Sequence, residues 1–309
     1  MKRTLQGRAN VRGVPRRLVA APVRRLCGTF AGLSMYQLYN GDCLEIMPTL
    51  PAQSVDAIIT DLPYGTTACA WDSVIPFDDM WRCVKHVLKP NGAFVTTASQ
   101  PFTSLLINSN LKWFRYEWIW DKKKPVGWVF AKKQPMRQHE NILVFYDKSP
   151  IYNPQPFKKS TTGYLSNKES ITFIETMGDS KGRTSDNLNE EGYARSILYH
   201  IPVLNNLTND KAGLHPTQKP VKLYTYLVLT YTNPGDTVLD MCFGSNTTGV
   251  ACIETGRKYI GIENDRKYFE LGQRRIEQAQ PPLFVETGTP ANKGLQPTPQ
   301  GAVEKSLFN

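Results

Sequence analysis

Asp236-Thr237-Val238-Leu239-Asp240-Met241-Cys242-Phe243-Gly244-Ser245-Asn246-Thr247-Thr248-Gly249 reads as strand, glycine turn, helix. The apolar run ending at Asp240 suits a strand buried on both faces, as in a parallel sheet. Gly244 lets the backbone approach a ligand closely, and Ser245, Thr247 and Thr248 offer caps to the following helix. The next apolar strand ends on Glu263, 19 residues beyond Gly244. That is where such a unit places an acid to hold a ribose diol. No Lys follows Gly249 and GxGxxG spacing is absent, which excludes a P-loop and disfavours a dinucleotide. A glycine turn without phosphate-binding features suits a nucleoside cofactor without phosphates. S-adenosylmethionine is such a cofactor.

Outward from this unit, strand and helix patterns alternate. Strands are predicted at 36–40, Val55–Asp61, 93–98, 116–120, 142–146, Thr237–Asp240 and 259–263. Helices are predicted at 77–88, 103–108, 221–230, 247–255 and Arg266–Gln278. Such alternation means an α/β fold, a mostly parallel sheet with right-handed crossovers. Phe114, Tyr116, Trp118 and Trp120 share a parity and should fall on one strand face, most of them as core. Residues 148–213 are rich in Asn, Ser, Thr and Gly and show no core pattern. The segment is too long for an ordinary loop and reads as a functional insertion.

A second motif ends the strand Val55–Asp61: Asp61-Leu62-Pro63-Tyr64-Gly65. In open α/β sheets, ligands bind beyond the carboxyl ends of the strands. An acid there can accept hydrogen bonds from an exocyclic amino group, as can the carbonyls beside a proline, and a tyrosine can stack on a planar base. Alone, Asp-x-Pro-Tyr is usually a turn after a strand; the cofactor turn reverses that reading. The loop after it, 65–72 with Trp71, either covers the pocket or simply packs.

The net charge of +10 is uneven. Residues 1–34 supply eight basic residues and no acid, leaving +2 on the rest. That segment is expected to be a disordered basic extension: a DNA-binding arm, a targeting segment, or translated upstream sequence before Met35. The last is favoured, because the regular pattern begins at Tyr36. A local surplus of +7 lies in residues 112–159, with Lys122, Lys123, Lys124, Lys132, Lys133 and Arg137 as candidate DNA contacts. The alternative reading is a solvated face, and His139 beside them reads as structural. Residues 279–309, rich in proline, read as a disordered tail. The six cysteines are scattered without a CxxC pair, which argues for free thiols in a reducing, cytoplasmic setting and against zinc. No apolar run is long enough to span a membrane.

Together the motifs resemble the amino-group DNA methyltransferases, which act on adenine N6 or cytosine N4. Asp61, Leu62, Pro63 and Tyr64 look like the catalytic (D/N/S)PP(Y/F) tetrad, with Leu62 in place of the first proline. Asp240, Phe243, Gly244, Ser245, Thr247 and Thr248 look like the cofactor loop, with Asn246 where the family usually has glycine. Glu263, with Asn264 beside it, resembles the ribose-binding acid. Asp42 resembles the acid meeting the cofactor adenine, and His215, Thr217 and Lys219 resemble the segment at the methionine end. The order, tetrad then insertion then cofactor loop, is similar to the permuted β group. The resemblance implies a Rossmann-like methyltransferase fold with helices on both sheet faces over residues 35–278, S-adenosylmethionine as cofactor, and double-stranded DNA as substrate. It places target recognition within 148–213 and requires no metal. It also admits a homodimer and a cognate restriction endonuclease as partners. Asp at position 61 favours adenine over cytosine. Rival readings are an RNA or protein-glutamine methyltransferase and a DNA-binding protein that has lost catalysis.

Overall fold

The fold is seen in a computed structural model. Its described residues are 24–30, 33–67, 69, 72–155, 157–158, 191–192, 194–199, 201, 218–279 and 281. The strands are β1 (Arg24–Phe30), β2 (Leu33–Asn40), β3 (Val55–Asp61), β4 (Leu88–Ala98), β5 (Phe114–Val126) and β6 (Arg137–Phe145). Then come a short ladder of β7 (Phe157–Lys158) with β8 (Glu191–Gly192), β9 (Ile197–Leu198), β10 (Thr237–Asp240) and β11 (Lys258–Glu263). The helices are α1 (Cys43–Ile46), α2 (Phe77–Val87), α3 (Phe102–Ser109), α4 (Val221–Tyr231), α5 (Thr247–Glu254) and α6 (Arg266–Gln278). None of them is long and apolar enough to cross a membrane.

One nine-stranded sheet runs β1-β2-β11-β10-β3-β4-β6-β5-β9. From β2 to β4 every neighbour is parallel, while β1 and the β6–β5 pair join antiparallel. The tips of β2, β11, β10, β3 and β4 therefore open at one end of the sheet. β10 and β3 are adjacent in space although far apart in the chain. That adjacency brings the Asp61 motif and the glycine turn together.

Side chains alternate across the sheet as a period of two demands. Ala57, Ile59 and Val95 face a core closed by α4, α5 and α6. Ile58 and Phe94 face a second core closed by α1, α2 and α3. α2 shows why such a segment is helical: Met80, Trp81, Val84 and Val87 recur on its buried face. Asp78 and Asp79 sit in its first turn and Lys85 and His86 in its last, which complements the helix dipole.

Three expectations change. The disordered extension was drawn to residue 34, yet Arg24–Phe30 is a strand hydrogen-bonded antiparallel to β2. It lies at a sheet edge, where Arg25 and Cys27 are exposed and the apolar signal is weak. Tyr116, Trp118 and Trp120 share one face as expected, but a register shift after Phe114 turns that ring to the opposite core, against Phe145. A bulge of this kind leaves no mark in the apolar pattern. Within the polar insertion, β9 extends the sheet and buries Leu198, and Ile201 joins the same core.

Candidate active site

A cavity of about 960 Å³ opens over these strand tips. Asp61, at the end of β3, lines it with Leu62, Pro63 and Tyr64. The Tyr64 hydroxyl donates to Asp61 Oδ1 at 2.9 Å. Thr97, the register partner of Asp61 on β4, donates to the same oxygen. Lys219 Nζ donates to Oδ2 at 2.6 Å and lies 3.5 Å from Glu140 Oε2. Lys122 completes the chain as an ion pair with Glu140 Oε1. Two carboxylates and two ammoniums thus alternate along one wall. Burial opposes charge on Lys219, but the Asp61 and Glu140 carboxylates outweigh it and hold the ammonium above its ordinary pKa. Burial, then the Asp61 and Glu140 charges, push the Tyr64 phenol well up, so it stays a neutral donor. Phe102 stacks on the Tyr64 ring at 5.2 Å and 26°.

The loop after the tetrad is tied to Asp72. Gly65, at φ 66°, donates its amide to Asp72 Oδ1 at 2.8 Å. The amides of Thr66 and Thr67 reach Oδ2 at 2.9 and 2.6 Å. Burial opposes the Asp72 charge, yet these bonds hold its carboxyl below the usual range. Trp71 lies outside the described residues.

At the other end, Glu263 uses both carboxylate oxygens on backbone. Gly244 donates to Oε2 and Asp265 to Oε1, each at 2.8 Å. Burial pushes the Glu263 carboxyl up to about 7, against the pull of those amides. Asn246 takes the left-handed conformation at φ 62°, so the family's glycine is replaced by a residue that tolerates it. Gly249 is required beside it, because a Cβ there would lie 2.2 Å from Asn246 Oδ1.

The candidate cofactor residues Asp42, Lys219, Phe243, Gly244, Ser245, Thr247, Thr248, Glu263 and Asn264 all line the cavity. Asp240 does not. It is buried beneath the turn, where it accepts from Thr60 at 2.7 Å, Thr248 at 2.6 Å and the Cys242 amide at 3.1 Å. Burial raises its carboxyl to about 6. Its role is to hold the turn against β3. The Lys219 ammonium lines the same cavity and is bonded to Asp61. His215 and Thr217 lie outside the described residues.

Of the candidate DNA contacts, Lys122 is turned inward onto Glu140, Lys123 is paired with Asp121 at 2.9 Å, and Arg137 donates to Ser99 Oγ at 2.6 Å. These three thus have partners within the protein, and Lys123 is exposed as well. Lys124, Lys132 and Lys133 are exposed. Sequence reading missed Glu140, Thr97 and Asp72 as site residues. The signal for Thr97 was its place at the end of the neighbouring parallel strand.

A family model described as DNA methylase matches residues 55–274, spanning both strand tips and the segment between them. The chain belongs to this family. It is an amino DNA methyltransferase of the β group, with the tetrad ahead of the cofactor loop. It is 29% identical over 261 residues to the DNA adenine methyltransferase YhdJ of Escherichia coli, covering 78% of this chain and 83% of that protein. It is 27% identical over 275 residues to the type II methyltransferase M.HinfI of Haemophilus influenzae, covering 79% and 69%. Among solved structures it resembles the M1.HpyAVI–SAM complex, at 25% identity and a TM-score of 0.51, over 78% of this chain and 100% of that one. The cytosine-N4-specific PvuII DNA methyltransferase shares the fold, at 17% identity and a TM-score of 0.56, over 83% and 89%. Within this DNA methylase, the Lys122–Glu140–Lys219–Asp61 chain is the arrangement that sequence alone left unseen.

Proposed function

We propose that this methylase transfers a methyl group from S-adenosylmethionine to the N6 amino group of an adenine extruded from double-stranded DNA. The observation that carries this reading is the Asp61 carboxylate sharing one cavity with Glu263 and the glycine turn. The lining fits the cofactor. Asp42, Glu263 and Asp265 line the cavity with acids, which disfavours phosphates and suits ribose hydroxyls. Glu263 and the backbone at Gly244 would hold the ribose, and Asp42 the adenine end. When bound, the cofactor supplies an electrophilic methyl on sulfur.

The residues of this chain make the amino nitrogen a nucleophile. Its lone pair is delocalised into the base, so N–H hydrogen bonds to Asp61 and to the Leu62 carbonyl draw it toward tetrahedral geometry. Those bonds strengthen as positive charge grows on nitrogen, stabilising the transition state more than the ground state. Tyr64, backed by Phe102, stacks on the base and offsets part of the few kcal/mol that extrusion costs. For the amino group to reach Asp61 Oδ2, Lys219 must release it, and Glu140 is the carboxylate already in place to keep the ammonium paired. Residues within 148–213 read the DNA site in this proposal. Asp rather than Ser at position 61 favours adenine.

The test is incubation with labelled S-adenosylmethionine and unmethylated duplex DNA, with RNA in parallel, followed by mass identification of the nucleosides. N6-methyladenine in DNA alone is the expected product. N4-methylcytosine would move the reaction to the other base, and label in RNA alone would overturn the substrate.

Cofactor affinity should depend on pH through Glu263. Holding ribose hydroxyls favours the ionised carboxylate, whose pKa in the free protein is raised to about 7. Below that value binding should weaken by up to roughly tenfold per unit. In the ligand-free protein the sign is opposite for stability: with the carboxyl raised from 4.5 to about 7, the folded protein holds a proton the unfolded chain releases, and that stability is lost as pH rises to about 7. Calorimetric titration of the cofactor from acid to alkaline pH checks the first statement. A flat profile would remove Glu263 from ribose binding, and Glu263→Gln should flatten it.

A further inference from the structure

The turn joining β5 to β6 exposes a run of apolar side chains. Trp128 is 79% exposed, Val129 69% and Phe130 54%, flanked by Val126 and Met136. A tryptophan this open to water is unusual in a folded chain. The backbone of the tip is nonetheless built. Gly127 turns it at φ 90°, and the amides of Phe130, Ala131 and Lys133 donate to the carbonyls of Gly127, Trp128 and Phe130 at 2.9, 3.0 and 2.8 Å. No acid occurs between Asp121 and Glu140, whereas Lys124, Lys132 and Lys133 are exposed beside the rings. The base of the same hairpin is a wall of the catalytic cavity, through Trp120, Lys122, Val126, Arg137 and Glu140. An apolar, aromatic tip, cationic flanks and continuity with the site of a base-modifying enzyme occur on one element.

We propose that the hairpin 126–136 enters the DNA stack as the target base leaves it, with Trp128 filling the gap and Phe130 beside it. The inference rests on the DNA-methylase reading above and adds a partner surface to it. Extruding a base leaves two unstacked neighbours and an orphaned partner base, a state that closes unless something occupies it. An indole offers a flat apolar face to those bases, and stacking of this kind tolerates any sequence. Lys124, Lys132 and Lys133 take the adjoining phosphates, which a hairpin without acids can approach at no repulsive cost. A basic aromatic tip would also suit an anionic membrane surface. Its continuity with the cavity favours DNA.

The experiment uses the full chain and short duplexes carrying the methylated site, read beforehand by sequencing the product DNA. One duplex is fully matched and the other has a mismatch at the target base, which lowers the cost of extrusion. Trp128→Ala should lower kcat/KM roughly 10- to 100-fold on the matched duplex. On the mismatched duplex it should stay within about threefold of the unaltered protein, because less stacking has to be replaced. Equal losses on both duplexes would overturn the wedge. Failure of the unaltered protein on both would instead indict the methylase reading, and the wedge is then judged by fluorescence. The emission lost in Trp128→Phe should be the part quenched by duplex DNA. If that part responds to phosphatidylserine vesicles and not to DNA, the surface belongs to a membrane and the proposal fails.

Discussion

Asp61→Ala should abolish methyl transfer, by roughly a thousandfold or more, while S-adenosylmethionine binding stays close to that of the unaltered protein. The size follows from where Asp61 acts. Its carboxylate meets the amino nitrogen only where positive charge develops, so removing it raises the barrier without removing cofactor contacts. Glu263 and the glycine turn sit on β11 and after β10, and neither bonds to Asp61. The variant should fold, because Lys219 keeps Glu140 as its counterion and the Asp61 side chain is already 25% exposed. Asp61→Asn should fall between the two, since the amide retains one acceptor oxygen but loses the charge. Transfer at anything near the original rate by Asp61→Ala would remove the tetrad from the chemistry and revive the inactive-binder reading. Loss of both binding and transfer would mean that the alanine variant had lost its fold, and Asp61→Asn would then carry the test.

Much of this site was legible because its two halves are local. A buried run ending in Asp-x-Pro-Tyr, and another ending in a glycine turn, each carry their meaning within a dozen residues. Parallel strands place such ends side by side whatever the chain between them does. What was illegible is non-local. Lys219 lies 158 residues from Asp61, and their bond depends on α4 delivering the lysine across the tip of β3. Glu140 stands on an antiparallel strand, whose register no pattern announces. Asp240 and Asp61 both end buried parallel strands, so sequence could not say which faces the cavity. Thr60 and Thr248 decide it by capturing Asp240 from both sides. The edge strand β1 and the bulge after Phe114 failed for related reasons: one has a half-solvated face, and the other breaks a period of two that the residues themselves obey.

Lys219→Met should cost about 3 kcal/mol of stability, the range for removing one partner of a buried ion pair. The methionine keeps the length of the side chain, so the loss is of charge more than of packing. Without the ammonium, Asp61 and Glu140 are left with Lys122 as the remaining cation of the chain. One buried negative charge is then uncompensated, and it has little water to screen it, because the Glu140 side chain is only 11% exposed. Adding Glu140→Gln removes that surplus charge. The double variant should therefore be clearly more stable than the sum of the two single losses, a coupling that a cycle of thermal or urea unfolding measurements reads directly. Additive losses would mean that the two residues do not share the cluster. Activity should separate the variants in the other direction. With Lys219 gone, nothing has to release Asp61 Oδ2 before the amino group of the base can bind it, so transfer by the folded Lys219→Met variant should persist. Glu140→Gln alone leaves the Lys219–Asp61 pair intact but deprives the ammonium of its second carboxylate. The amino group of the base must then displace Lys219 from Asp61 with nowhere charged to send it, so transfer should slow at every pH even though the protein folds.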